Sequence, residues 1–265
     1  MSTESLVVTE FARHFPAAAL LPAAAGERSV RVELAESRED LQAAQRLRYT
    51  VFAREMGARL HNRIPGLDHD RFDPYCQHLI VRDALDEVVG CTRILTAPAA
   101  QRAGGFYSQT EFDLTPILAL PGRFMEIGRT CVRADYRNGA TINALWSGLA
   151  AFITVHQIDY LIGCASIPLG EHGLAVQILY AELARRHLVA ESLRVKPYLP
   201  LSRSDGPVPP RCAMPPLLKA YLRLGAQIGG EPCLDPDFQV ADVFILLPTE
   251  RIERRYARHF LDRDQ

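Results

Sequence analysis

The stretch FMEIGRTCVRADYRNGA, residues 124–140, carries two charged side chains inside an apolar strand pattern, and a glycine-containing turn follows. The spacing predicts a buried strand over 124–132 and a long helix over 140–156. Glu126 and Arg129 lie in the middle of that strand. A charge that is removed from water costs several kcal/mol unless it is paired or hydrogen-bonded. These two residues therefore form either a structural ion pair or part of a working site.

The two interpretations require different backbone geometries in this strand. In a regular strand, residues three apart point to opposite faces, which would place Arg129 on the apolar face. A β-bulge near Gly128 would bring Arg129 and Glu126 to the same side. It would also turn a backbone N–H out of the ladder, where it could bind an oxyanion. The residues alone leave open a bulged active-site strand and a buried salt bridge in a splayed sheet.

Apolar patterns on both sides of this stretch predict further strands and helices. The expected strands are 30–34, 78–84, 87–95, 158–166, 193–201 and 240–248, and the expected helices are 38–56, 173–188 and 216–225. Their order predicts an α/β fold with a mixed β-sheet of six to seven strands and helices on both faces. The crossover from 124 to 166 points backbone N–H groups and a helix N-terminus above the sheet edge, which favours binding of a phosphate.

A short insertion precedes the central strand. Within it, Ser108-Gln-Thr-Glu111 matches a capping box, with Tyr107 and Phe112 placed for a hydrophobic staple. The pattern predicts a short helix that begins at Ser108.

Three segments are expected along the chain. Residues 1–28 read as a flexible Ala/Pro-rich leader, 29–250 as a single domain, and 251–265 as a basic C-terminal helix. That helix could contact an acidic protein or an anionic membrane surface, and a plain solvated helix end gives the same pattern. No apolar run approaches the roughly 18 residues of a membrane span.

Composition narrows the functional classes. The chain has 265 residues, 48% of them hydrophobic, and a formal net charge of -1, which gives no argument for nucleic-acid binding. The six cysteines lie far apart, which predicts reduced thiols in a cytoplasmic protein. The eight histidines show no metal-ligand spacing, so no metal site is expected.

Many segments, in order, resemble one bacterial enzyme family. They cover roughly residues 40–260 and include RLRYTVFAREMGA, LDHDRFDPYCQHLIV, VVGCTRIL, GGFYSQTEFDL, EIGRTCVRADYRNGATINALWSGLA, IDYLIGCAS, PPLLKAYLRLGAQIGGEPCLDPDFQVADVFILLP and RYARHFL. The chain resembles the ornithine acyl-carrier-protein N-acyltransferases of ornithine-lipid biosynthesis, sometimes described as haemolysin-like. These belong to the GCN5-related N-acetyltransferase superfamily. The resemblance implies that fold and transfer of a 3-hydroxyacyl chain to the α-amine of ornithine, giving lyso-ornithine lipid.

A fainter resemblance is to the acyl-homoserine-lactone synthases, which also take acyl chains from carrier protein. The residues of this chain that carry this resemblance are Arg48, Phe52, Asp70, Asp73, Arg93, Glu126 and Arg129. The shared set favours the active-site interpretation of Glu126 and Arg129.

The donor-binding turn departs from the wider superfamily. Coenzyme A users carry an Arg/Gln-x-x-Gly-x-Gly/Ala loop, and DYRNGAT (135–141) does not fit that spacing. Because a carrier protein presents only a phosphodiester, a reduced loop suits that donor. The resemblance thus implies that the phosphopantetheine thioester of acyl-carrier protein is a co-substrate, with no other cofactor. The phosphate is expected at Arg137, Asn138, Gly139 and Ala140.

The implied reaction assigns roles to the other residues. Glu126 is the candidate base for the attacking amine, directly or through a water, and Arg129 holds the acceptor's carboxylate or orients Glu126. Asp70 and Asp73 are candidates for the acceptor's distal ammonium, although a solvated turn has the same pattern. Arg48 is expected to organise these aspartates, or to be an exposed helix charge. Arg93 completes the substrate-binding set, unless it is an ordinary edge-strand arginine.

Other functions remain open at this level. The same donor could serve another acceptor, such as glycine, lysine or an adenosylmethionine-derived amine that gives a homoserine-lactone-type product. A different class is a non-catalytic acyl-carrier or lipid-binding module, or a membrane-active protein. The retained Glu126 and Arg129 count against a non-catalytic module, and the missing membrane segment counts against a membrane-active protein. Cys131 is not expected to be a nucleophile, because no histidine lies near it in sequence. We expect a cytoplasmic enzyme with peripheral contact to the inner membrane.

Overall fold

The computed structural model describes residues 29–137, 139–170, 173–202 and 213–252. The predicted leader 1–28, Asn138, and all of the predicted basic helix after residue 252 lie outside these ranges. None of the described helices is both long and apolar enough to cross a membrane.

The described chain contains ten strands and six α-helices, with short 3-10 turns and a π-helix (Thr50–Glu55) that continues the first α-helix. The strands are β1 (Val30–Leu34), β2 (Gln77–Asp83), β3 (Val88–Thr96), β4 (Phe112–Asp113), β5 (Phe124–Val132), β6 (Tyr160–Pro168), β7 (Lys196–Pro197), β8 (Gln227–Ile228), β9 (Cys233–Asp235) and β10 (Val240–Pro248). The helices are α1 (Arg38–Tyr49), α2 (Ala97–Ala103), α3 (Thr115–Leu118), α4 (Gly139–His156), α5 (Leu174–His187) and α6 (Pro216–Leu224).

The chain divides into two compact units. The first comprises the described residues up to Ala99 together with Ile127–Gln157, and it contains β1, β2, β3, the second part of β5, α1 and α4. β2 pairs antiparallel with both β1 and β3, and β5 lies next to β3. Helix α4 packs against β1 and β2 through Gly148. A Cβ at Gly148 would lie 2.8 Å from Leu79 and Val32, so the helix can approach the sheet only without a side chain there.

The second unit comprises Ala100–Glu126 and the described residues from Ile158 onward. The start of β5 pairs in parallel with β6, from Phe124↔Tyr160 to Glu126↔Ile162. The other edge of β6 pairs antiparallel with β10 along nine residues, and β10 also pairs with β8 and β9. Most of β6 and nearly all of β10 are buried, as their almost continuous apolar sequences predict.

The predicted α/β class with a mixed sheet is confirmed, with eight strands instead of six to seven. Their order is β1-β2-β3-β5-β6-β10-β8, with β9 on β10, while β4 and β7 form a separate two-stranded sheet. The predicted strand 193–201 is wrong, because only Lys196–Pro197 is a strand there. Pro197 and Pro200 lack the N–H groups that a longer ladder needs.

Candidate active site

Glu126 lies on β5 and is 4% exposed. Its Oε2 accepts a hydrogen bond from the N–H of Tyr107 at 2.6 Å, and its Oε1 accepts one from the N–H of Ser108 at 2.8 Å. The hydroxyl of Ser108 donates to the same Oε1. The 3-10 turn that contains Tyr107 and Ser108 therefore holds this buried carboxylate in one position.

The predicted capping box at Ser108 is wrong. The 3-10 turn begins at Tyr107, and the side chain of Gln109 accepts a hydrogen bond from the N–H of Phe106 at 2.9 Å. Ser108 gives both its N–H and its hydroxyl to Glu126 instead, since a buried carboxylate accepts charge-assisted hydrogen bonds more strongly than the backbone does. Glu111 is therefore not part of a helix cap.

Glu111 meets two further acidic residues, Asp235 at the end of β9 and Asp242 in β10. One carboxylate oxygen from each residue lies within 4.8 Å of the other two. We call these three residues the carboxylate cluster. Burial, followed by the negative charge of Asp242, raises the pKa of Glu111 to about 8.

Cys164 connects the carboxylate cluster to Glu126. Its thiol on β6 donates to the hydroxyl oxygen of Ser108 at 3.3 Å. Burial raises the pKa of this thiol well above its usual value, and Glu111, Asp242 and Glu126 raise it further. The three acidic residues thus all favour the protonated form of the Cys164 thiol. A protonated thiol is a poor nucleophile.

A second cluster, in the first unit, combines arginines with aspartates. We call it the arginine–aspartate cluster, and its members are Arg48, Arg93, Arg129, Asp68, Asp70 and Asp73. Arg48 is 1% exposed. Its Nε donates to Asp68 Oδ2 at 2.8 Å, and its two terminal nitrogens donate to Asp73 at 2.9 and 3.0 Å. Arg48 therefore contacts Asp73, one of the two aspartates that it was expected to organise, and its part in substrate binding stays a prediction.

Arg93 is a buried residue of β3, which lies between β2 and β5, so it is not an edge-strand arginine. Its NH1 donates to Asp70 at 2.6 Å and to Asp73 at 3.0 Å. Burial opposes ionisation of Asp73, but the positive charges of Arg48 and Arg93 outweigh it and hold the pKa of Asp73 below its usual range. Both aspartates are therefore ion-paired rather than exposed in a solvated turn.

Arg129 departs from regular strand geometry. Its φ is 51°, in the left-handed region, directly after Gly128. The expected irregularity of this strand is therefore present, and it falls at Arg129 itself. The guanidinium lies 3.4 Å from Asp68 and 3.5 Å from Asp70. These ion pairs hold a backbone conformation that costs a non-glycine residue about 1–2 kcal/mol.

The predicted phosphate-binding turn is only partly described, since Asn138 lies outside the described residues. Helix α4 begins at Gly139, so the N–H groups of Gly139 and Ala140 lie in its first turn, where an anion is favoured. Arg137 is half exposed, donates to the carbonyl of Val132 at 3.1 Å and pairs with Glu55. Its guanidinium is thus accessible but already has an acidic neighbour.

Sequence reasoning missed Asp68 in the arginine–aspartate cluster, all three residues of the carboxylate cluster, and the contact of Ser108 with Glu126. Asp68 shares the segment LDHDRFDPY with the two predicted aspartates, and nothing in that segment set it apart. Asp242 is the only charged residue in the apolar run VADVFILLP, which is the same signal that identified Glu126. Glu111 and Ser108 were assigned to a local cap, which hid their long-range partners.

Within the described residues no cysteine forms a disulfide bond, as is the case at Cys76, Cys91, Cys131, Cys164 and Cys233. Burial raises the pKa of the Cys131 thiol well above its usual value, and its neighbour Cys91 raises it further. A protonated, buried thiol agrees with the expectation that Cys131 is not a nucleophile.

Comparisons with known proteins place the chain in a family. A family model described as "Acetyltransferase (GNAT) domain" matches residues 47–147. An L-ornithine N(alpha)-acyltransferase of Brucella abortus (strain 2308) is 38% identical over 253 residues, covering 88% of this chain and 89% of that protein. One of Rhodobacter capsulatus is 36% identical over 258 residues, covering 91% and 98%.

A solved structure with the same fold is that of BjaI, a CoA-dependent acyl-homoserine lactone synthase with MTA. It is 14% identical, covers 86% of this chain and 89% of that chain, and has a TM-score of 0.50. This likeness concerns the fold, whereas the identity to the Brucella and Rhodobacter proteins extends over nearly the whole chain. The chain is an acyltransferase that belongs to the L-ornithine N(alpha)-acyltransferase family.

Proposed function

We propose that this protein transfers a fatty acyl chain, such as a 3-hydroxyacyl chain, from acyl-carrier protein to the α-amine of ornithine, giving lyso-ornithine lipid. The observation that carries this proposal is the 36–38% identity, over most of the chain, to proteins named L-ornithine N(alpha)-acyltransferase. The donor is inferred from the turn 135–141, which lacks the glycine spacing of a coenzyme A loop.

The reaction forms one bond and breaks another. The α-nitrogen of ornithine attacks the thioester carbonyl, the C–N bond of an amide forms, and the C–S bond to the phosphopantetheine arm breaks. The nitrogen loses a proton, and the departing sulfur takes one up as a thiol. An ammonium has no lone pair for the attack, so a base must accept its first proton near neutral pH.

Glu126 is the residue that we assign to this base. Its carboxylate is fixed by donors from Tyr107 and Ser108, so its remaining lone pairs are held in a defined direction. A positioned base of this kind contributes about 100-fold or more to the rate. The proton passes to Glu126 directly or through a water.

The first unit is assigned to supporting roles. The ion pairs of Arg129 with Asp68 and Asp70 suit a residue that fixes the left-handed position in β5. Direct binding of the acceptor's carboxylate by Arg129 stays a prediction. The start of α4 and Arg137 are assigned to the donor's phosphate.

The cellular setting is also part of the proposal. We place the enzyme in the cytoplasm, where acyl-carrier protein is available. Contact of the basic segment 251–265 with carrier protein or with an anionic membrane surface stays a prediction.

The test is an acylation assay with the purified full-length chain. A 3-hydroxyacyl-carrier protein and the corresponding coenzyme A thioester are each offered with ornithine, lysine or glycine, and products are identified by mass spectrometry. We expect N-acyl-ornithine, formed faster from the carrier-protein donor. Glu126→Gln should lower kcat by about 100-fold or more, because an amide cannot accept the proton.

The matched control is Glu182→Gln, which makes the same change at an exposed position of α5. This control should keep wild-type activity. If no amino acid is acylated from either donor, the proposed function is wrong. If Glu126→Gln forms product at the wild-type rate, the assignment of the base is wrong and the function stands.

A further inference from the structure

The carboxylate cluster contains a buried acidic side chain that the rest of the described chain does not compensate. Glu111 is 8% exposed, and neither of its carboxylate oxygens makes a hydrogen bond within the described residues. Tyr107 and Cys164 each place a donor group near the carboxyl group of Glu111 and act to lower its pKa, but burial and the charge of Asp242 outweigh them. Buried acceptors without donors cost about 1–3 kcal/mol or more. A protein tolerates this cost at a site where a bound ligand supplies the missing donors.

The chemistry of the cluster selects a cation with several donors. An alkylammonium group carries three N–H donors and no acceptor. Oxygens that accept tetrahedrally from one ammonium at about 2.8 Å lie about 4.6 Å from one another. The three cluster oxygens lie within 4.8 Å of one another, and this upper bound is compatible with such a spacing. Glu111, Asp235 and Asp242 each contribute one acceptor.

The position of the cluster relative to Glu126 adds a second argument. Ser108 bonds to Glu126, and Cys164 bonds to Ser108. The negative charges of Glu111 and Asp242 in turn raise the pKa of the Cys164 thiol. A molecule with two amines joined by a short carbon chain could present one nitrogen to Glu126 and the other to the cluster.

We propose that the carboxylate cluster binds the distal ammonium of the amino-acid acceptor and thereby selects a diamino acid over a neutral one. This inference rests on the proposed function, since it names the residues that recognise the acceptor's side chain. Binding of the distal ammonium is thereby assigned to the carboxylate cluster instead of Asp70 and Asp73. The charges of those two aspartates are already balanced by Arg48, Arg93 and Arg129.

The raised pKa of Glu111 fits this role. With a pKa of about 8, Glu111 is protonated near neutral pH when no cation is present. Asp235 and Asp242 face Glu111 from β9 and β10, and Cys164 and Tyr107 face it from β6 and the 3-10 turn. Binding of an ammonium favours the ionised form of Glu111, so a proton is released on binding.

The experiment compares ornithine with L-norvaline, which has the same carbon chain without the distal amine. The ratio of kcat/KM for the two acceptors is measured in the wild-type chain, in Glu111→Gln and in Asp242→Asn. We expect each substitution to lower the ornithine-to-norvaline ratio by about 10- to 100-fold, because a charged hydrogen-bond partner is lost. Glu182→Gln, the exposed control, should keep the wild-type ratio.

A binding measurement separates this inference from the proposed function. Ornithine should raise the Tm of the wild-type chain, without any donor present, and should not raise the Tm of Glu111→Gln. Unchanged acceptor ratios in both cluster variants would overturn the inference while leaving the enzyme function intact. If the wild type acylates nothing, the proposed function fails, and the Tm response to ornithine still decides whether the cluster binds an ammonium.

A metal ion is the alternative occupant. Magnesium or calcium chloride is therefore added alone in the same Tm measurement. A rise in Tm with either salt that is absent in Glu111→Gln, together with no response to ornithine, would make the cluster a metal site and overturn the inference.

Discussion

The two buried clusters differ in how their negative charges are balanced. In the arginine–aspartate cluster, three aspartates face three arginines, and Arg48 alone makes four hydrogen bonds to Asp68 and Asp73. In the carboxylate cluster, Glu111 makes none within the described chain. In the first cluster each aspartate is ion-paired with an arginine, even though Asp70 Oδ2 makes no hydrogen bond within the described residues. In the second cluster no described residue pairs the buried carboxyl group of Glu111 in this way.

This difference separates residues that build the fold from residues that meet a substrate. A balanced buried cluster loses much of its stability when one partner is removed. Replacing Glu111 by a neutral residue should instead remove a cost that appears only above its pKa of about 8, and should weaken ligand binding. The first two predictions below test the two sides of this comparison, and the third tests the donor turn, which lies in neither cluster.

The largest expected effect is on stability, from Arg48→Met. The substitution leaves Asp68 and Asp73 buried with fewer partners, so the free energy of unfolding should fall by about 3–5 kcal/mol. Urea unfolding followed by circular dichroism measures this change. Arg46→Met, at an exposed position of the same helix, is the control and should change the free energy by less than about 0.5 kcal/mol. Equal stability of the two variants would mean that the cluster does not hold the fold.

An intermediate effect is expected from pH. The folded-state pKa of Glu111 is about 8, above its ordinary value of 4.5, so its contribution to stability is present at low pH and is lost as pH rises through 8. Between pH 6 and pH 9 the wild type should therefore lose about 2–3 kcal/mol that Glu111→Gln does not lose. Asp73 has the opposite sign, because its pKa is depressed and its contribution is lost as pH falls.

Unfolding curves of the wild type and Glu111→Gln across this pH range make the comparison. The difference between the two proteins isolates Glu111 from other titrating groups. Parallel pH profiles would show that Glu111 is not the buried acid that the structure describes.

The smallest expected effect concerns the donor turn. Arg137→Ala should raise KM for the acyl-carrier protein by about 3- to 10-fold, because an exposed charge–phosphate contact is modest. Glu55→Ala, which removes the acidic neighbour of Arg137, should leave KM equal or lower. Steady-state kinetics with varied carrier protein measures both. An unchanged KM in Arg137→Ala would remove this arginine from the donor site.

Elements with a local apolar period could be predicted from the sequence. The expected strand 124–132 coincides with β5, the expected strand 240–248 coincides with β10, and the expected helix 140–156 matches α4 within one residue. These segments are long and their burial is decided by their own residues. The two-residue strand β8 was missed, because its pairing depends on β10 and leaves little pattern of its own.

A site residue could be predicted where a charge interrupts an apolar run, as at Glu126. The prediction was wrong where a local capping rule and a distant contact compete for the same residue. Ser108 and Glu111 satisfy the spacing of a capping box, but Ser108 bonds to a residue 18 positions away. The side chain that meets Glu111 comes from β10, more than a hundred residues later in the sequence. No local pattern can report such a partner.

The nine-residue ladder between β6 and β10 has a consequence for synthesis. The two strands are separated by the residues between Pro168 and Val240, so β6 leaves the ribosome long before its partner. At a synthesis rate of about 5–20 residues per second, this interval is about 4–15 s. During that time an apolar strand edge is open to pairing with other chains, so aggregation of the nascent chain has to be prevented before β10 is made.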